Sequence, residues 1–92
     1  MNGTDMLTTA VEGGINYWAT SIRARTHSAT VVDMDTGTSH TVTAAGMTAA
    51  AKDVLALYPQ TQAAQAIRED NIDAEAADVI FQTAALGGII YG

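Results

Sequence analysis

The sequence predicts a small α+β fold, and three observations carry that expectation. Apolar residues recur at helical spacing towards both ends, β-branched residues crowd positions 20 to 43, and capping or breaking residues stand at the junctions. The expected architecture is a small antiparallel sheet packed against three or four helices, all in a single domain spanning residues 1–92. A central β-hairpin forms that sheet, and a C-terminal strand is the candidate third member.

Residues 5–18 place Met6, Leu7, Ala10, Val11, Gly14, Ile15 and Trp18 in alternating steps of one and three, which is an amphipathic helical stripe. Thr4 or Asp5 can cap its start by accepting a backbone N–H. Gly13 and Gly14 lie inside this pattern, where each glycine costs about 1 kcal/mol relative to alanine. Their presence predicts the close approach of another backbone or a ligand.

From Thr20 to Thr43 the period changes to alternation, with Thr30, Val31, Val32, Thr41 and Val42 as strand formers. Asp35-Thr36-Gly37 is a turn signal, so residues 28–34 and 38–43 are expected to pair as a hairpin. Two- and three-residue loops both fit, which leaves His40 opposite Val32 or Asp33. Residues 20–27 read as a further strand or as a loop.

Thr43 can cap a helix over 44–57 that Pro59 ends, and a short helical piece is expected over 61–69. Asp73 caps a third long helix over 74–86. Its only polar interruptions are Glu75, Asp78, Gln82 and Thr83, a narrow strip that marks a largely buried helix. Gly87 suits the left-handed position after the last turn, and Ile89-Ile90-Tyr91 reads as a closing strand.

Charge and composition exclude several functions. A formal net charge of −6 with only four basic residues opposes duplex nucleic acid as a partner, since duplex binding rests on many Lys and Arg contacts to phosphate. The absence of cysteine removes disulfides, thiolate zinc sites and a cysteine nucleophile. No signal peptide is visible, and the longest apolar run, Ala84 to Tyr91, is too short to span a bilayer, so a cytoplasmic protein with no membrane partner is expected. The apolar residues lean on alanine, with one Trp and one Phe, and such a thin core predicts a homo-oligomer.

No motif names a reaction. Serines, His27, His40 and several aspartates are present without a nucleophile elbow, so no catalytic residues are assigned and an enzyme is not expected. His27, His40, Asp33 and Asp35 share the hairpin region but lack a metal-ligand spacing. The plainer reading is a surface imidazole beside a carboxylate, and no metal or cofactor is expected. Glu69, Asp70, Asp73, Glu75 and Asp78 could imitate nucleic-acid phosphates, but capping and the helix dipole explain Asp73 and Glu75 more simply.

The most informative stretch runs from Tyr17-Trp18 to Arg23, Arg25 and His27. Two of the four basic residues and a histidine fall at every second position, so an extended chain would place them on one face. Guanidinium groups bind phosphate or carboxylate through paired hydrogen bonds, and Tyr17 and Trp18 could stack a base nearby. The candidate ligand-binding residues are therefore Tyr17, Trp18, Arg23, Arg25 and His27. The competing reading pairs both arginines with the chain's own acids and puts Trp18 in the core.

The blocks Leu7-Thr8-Thr9-Ala10-Val11-Glu12-Gly13-Gly14-Ile15-Asn16-Tyr17-Trp18 and Asn71 to Gln82, with the ending Gly87-Gly88-Ile89-Ile90-Tyr91-Gly92, resemble a family of small uncharacterised proteins of bacteriophages, especially those of actinobacteria, and of related prophages. The Glu-Gly-Gly-x-Asn-Tyr-Trp block is its most specific part, and the middle of the chain lies outside the resemblance. Near Ala85, such relatives tend to carry a bulkier residue. The resemblance implies a phage accessory protein working in the host cytoplasm by binding. One expectation is counter-defence by sequestering a nucleotide or other anionic small-molecule signal. The alternative is a protein-binding inhibitor of a host or defence enzyme.

Overall fold

Three antiparallel strands in the order β1-β2-β3 form the sheet in the computed structural model, which describes residues 1–92. They are β1 (Ala19–Ala24), β2 (Ser28–Asp33) and β3 (Ser39–Thr43), and the helices are α1 (Gly3–Thr9), α2 (Ala44–Leu57), α3 (Gln62–Arg68) and α4 (Ala74–Leu86). This is the expected α+β class, with the third strand drawn from residues 20–27 and not from the C-terminus.

The first helix differs from the expected span of 5–18. Asn2, not Thr4 or Asp5, caps it by accepting from the Asp5 N–H at 2.8 Å. After Thr9 the coil widens into a π-helical turn over Ala10–Gly14, where the Ile15 N–H reaches back to the Ala10 carbonyl at 3.2 Å. Gly13-Gly14 has low helix propensity, and Gly14 is wedged against another helix. A Cβ built on Gly14 would lie 2.7 Å from the Ala74 carbonyl oxygen, whereas one on Gly13 would meet nothing within 4 Å. The close approach read from the sequence therefore belongs to Gly14 alone.

The second and fourth helices match their expected spans and caps. Thr43 accepts from the Gly46 N–H at 3.0 Å and Asp73 from the Ala76 N–H at 2.9 Å. Gly87 takes φ +82 after α4, the left-handed position expected of it. The closing strand is absent. Residues 87–92 run as irregular chain whose polar groups are met by side chains, as described below.

The hairpin register also differs from both expected alternatives, because the connection runs from Met34 to Thr38 and is longer than either loop considered. His40 pairs with Val31. Burial alternates along β2, with Ala29, Val31 and Asp33 inside and Ser28, Thr30 and Val32 outward. In β1, Thr20 pairs with Val32 but Arg23 pairs with Thr30, so Ser21 and Ile22 together oppose one residue of β2. This bulge has Ser21 at φ +52, and such an insertion re-aims every side chain after it. Ile22 then packs against the core while Arg23 points outward with Thr30.

The helices cover one face of the sheet. The core cluster has twenty buried residues, nine of them alanine, with Phe81, Ile15 and Met47 as its largest fully buried members. Small residues let backbones approach closely, and a Cβ on Gly3 would overlap the Ala44 carbonyl of α2. The accessible surface is 4970 Å², close to the roughly 5000 Å² expected for a compact monomer of this mass. The alanine-rich chain thus exposes no more surface than is ordinary for its mass.

Candidate functional site

The structure divides the five candidate residues between two places. Tyr17 and Trp18 leave the π-helical turn and meet α4 and the C-terminal segment, whereas Arg23, Arg25 and His27 lie beyond the bulge towards the far end of β1.

Around Tyr17 and Trp18 a polar network is built on α4. Asp78 and Gln82 are one helical turn apart, so both side chains project from the same face of α4. The carboxylate of Asp78 accepts from the Trp18 indole N–H at 2.8 Å, from the Gln82 amide at 3.0 Å and from the Tyr17 hydroxyl. Gln82, fully buried, accepts with Oε1 from the backbone N–H groups of Ile90 and Tyr91 at 2.9 and 2.8 Å. Its amide nitrogen lies 3.0 Å from the Tyr91 carbonyl oxygen. The side chain of Gln82 thus does for residues 90 and 91 what a neighbouring strand would have done. Tyr91 stacks on Trp18 with ring centroids 5.4 Å apart and donates its hydroxyl to both oxygens of Asp33 at 2.8 Å. No buried side-chain polar atom is left without a partner.

Electrostatics follow from these contacts. Burial and then the hydrogen bond and negative charge of Asp78 push the Tyr17 phenol up to about 12. The hydrogen bond to Asp33, then burial, push Tyr91 up to about 12 as well. Burial alone would raise the Asp33 carboxyl. The Tyr91 hydroxyl, the N–H groups of Asp35 and Thr36, and the charge of His40 outweigh it and hold the group below its ordinary value. Both phenols therefore stay protonated donors at neutral pH, which suits them to fixing positions and not to nucleophilic attack.

Beside this network lies a pocket of about 560 Å³, lined by the Gly13-Gly14 turn, Tyr17, the first turns of α4 and the C-terminal segment. Its side-chain charges are those of Glu75 and Asp78. An anion is the wrong ligand for such walls, and the arginines expected to hold an anion beside Tyr17 and Trp18 do not line this pocket. Trp18 itself is buried in the core, as the competing reading held.

The arginines stand elsewhere. Arg23 and Arg25 are exposed, and neither forms an ion pair; the one salt bridge in the chain joins the N-terminal ammonium to Asp70. The reading in which they neutralise the chain's own acids is therefore wrong. They flank an outer sheet face of Thr20, Ser28, Thr30, Ser39, Thr41 and Thr43 that carries no acidic residue. Thr30 and Thr41 share a hydrogen bond across it at 2.9 Å. His27 does not continue the arginine row. The Arg25 N–H bonds the Ser28 carbonyl at 2.8 Å, which closes a turn, and the His27 ring meets Thr4 Oγ1 at 3.0 Å. No pocket is lined by Arg23, Arg25 or His27.

Sequence reasoning missed Asp33, Asp78, Gln82 and Tyr91. The available signal was the Asp78–Gln82 pair at a spacing of four on a helix otherwise nearly all apolar. No group of three or more His, Cys, Asp or Glu side chains converges to hold a metal, and no helix is long and apolar enough to cross a membrane. Compared with protein-family models, with curated proteins and with solved structures, the chain matches none.

Proposed function

We propose that this chain is a small phage-type accessory protein that acts by binding, and that the open face of its sheet docks on an acidic surface of a partner protein. The observation that carries the reading is the pair Arg23 and Arg25, exposed and free of ion pairs on a face without acids, in a chain of net charge −6. Two unpaired guanidiniums on such a surface favour carboxylates presented in an extended array. None of the pockets is lined by Arg23, Arg25 or His27, which argues against the sequestering of a nucleotide by one chain, because small ligands bind in concave sites. The phage setting and the inhibition of a host or defence enzyme rest on the resemblance of the two end blocks. No catalytic role is proposed for any residue.

The test is a titration of ¹⁵N-labelled protein with a hexaglutamate peptide and, separately, with ATP. Hexaglutamate should shift the amides of 23–25, 28–32 and 39–43, with weakening as salt is added. Arg23→Ala with Arg25→Ala should stay folded and bind roughly ten- to a hundredfold more weakly, the effect of losing charge-assisted contacts. Shifts confined to ATP would replace this reading with the nucleotide-sequestering one, whose pocket walls would then have to come from a second copy of the chain. Silence with both probes would remove the site.

A further inference from the structure

We infer that the pocket between the π-helical turn and α4 is a binding site for a small organic cation, an ammonium or guanidinium on a short aliphatic stem. It is distinct from the sheet face and does not depend on it. Three observations converge. The cavity, about 560 Å³, is large enough for such a molecule, and no Lys, Arg or His lines it. At its wall lies Asp78, only 7% exposed, whose carboxylate is held by three neutral donors and by no cation of this chain. A buried carboxylate that lines a pocket without a counter-charge favours a cation there.

The remaining walls suit the same chemistry. Glu75, exposed one turn before Asp78 on α4, supplies a second carboxylate at the rim. Tyr17 offers a ring that is 53% exposed, and the face of an aromatic ring attracts cations. Val79 and Ile89 give the stem an apolar surface. Beside Gly13, which lines the pocket, the space is open, since a Cβ there would meet no atom within 4 Å. The hydrogen bonds from Trp18, Tyr17 and Gln82 fix the Asp78 carboxylate, so it would bind without reorganising.

Trp18 is the only tryptophan and donates directly to Asp78, so its emission reports on this site. Titration with n-butylguanidinium should change that emission saturably, while n-butyrate at equal ionic strength should not. Glu75→Gln changes an exposed side chain and should leave the melt intact while weakening binding by roughly tenfold, as expected for one charge-assisted contact. Asp78→Asn should abolish binding if it folds; the Glu75 variant keeps the test decisive if it does not. Equal responses to butylguanidinium and butyrate, or full affinity in Glu75→Gln, would overturn the proposal. So would an arginine-rich peptide that binds where free butylguanidinium does not, since the site would then serve a partner's side chain. Because Arg23 and Arg25 take no part, loss of this site leaves the sheet-face reading untouched, and the converse holds.

Discussion

Ser21 holds a left-handed conformation at φ +52 inside β1. For a residue with a side chain that geometry costs about 1–2 kcal/mol, and glycine adopts it freely. Ser21→Gly should therefore keep or raise the midpoint of urea unfolding, and Ser21→Val should lower stability by about 1–2 kcal/mol. The two glycines of the π-helical turn should behave oppositely to each other. Gly14→Ala forces a methyl to within 2.7 Å of the Ala74 carbonyl oxygen and should destabilise the chain strongly. Gly13→Ala meets no atom and should gain up to about 1 kcal/mol from the lost backbone freedom of the unfolded chain. Equal effects from the two substitutions in denaturation curves would contradict the wedge. Ionisation sets a third expectation. The Asp33 carboxyl is held below its ordinary value in the fold, so its contribution is present above that value and fades as pH falls through the depressed one. The phenols of Tyr17 and Tyr91, raised to about 12, act in the reverse sense. Their contribution is whole below the ordinary phenol value near 10 and is lost as pH climbs from about 10 to 12. Tyr91→Phe should reduce stability more at pH 7 than at pH 3, as read by melting temperature.

At the level of elements, α4 does more than cover the sheet. Its Gln82 receives the N–H groups of Ile90 and Tyr91 and so anchors a segment that belongs to no strand. Gln82→Met keeps the volume and removes these bonds. It should cost about 1–2 kcal/mol, because two partly buried amides lose their acceptor, and should speed hydrogen exchange at residues 90 and 91. Unchanged exchange there would mean that the Trp18–Tyr91 stack holds the segment alone. These elements also show how far the sequence could be read. Helices 44–57 and 74–86 were legible to the residue because Thr43 and Asp73 cap them locally and Pro59 and Gly87 end them locally. The strand of residues 19–24 was ambiguous, since its alternation is broken by the bulge and only its pairing with β2 decides it. Ile89-Ile90-Tyr91 has strand composition but finds a glutamine where a strand would need an edge, a tertiary fact that no local pattern contains. The site was half legible for the same reason. Arg23 and Arg25 stand out by composition, whereas Asp78, Gln82 and Tyr91 become a network only when distant segments meet.

Across the whole molecule the charge is unevenly spread. The chain is acidic overall, yet its outer sheet face carries two unpaired arginines and no carboxylate. Association with an acidic partner should therefore be fast at low salt and slow markedly by 0.5 M, the mark of charge-steered encounter. Self-association remains a proposal with its own surface, since Leu57 is 60% exposed and Ile90 62%. Sedimentation velocity at micromolar concentration should give a dimer or larger, and Ile90→Lys should weaken it. A parent that sediments as a monomer would remove that expectation. The sign of the outer face, finally, hangs on a count. β1 places one more residue than β2 between Thr20 and Arg23. Pair the same six residues without that bulge, and positions beyond Thr20 trade faces, with Ser21 opposite Val31, Ile22 opposite Thr30 and Arg23 opposite Ala29. Ile22 would then turn to water and Arg23 to the core, with no amino acid of the strand replaced by another. The composition that makes this surface attractive to an acidic partner is thus only half of its specification; the other half is arithmetic, one unpaired residue in a strand of six.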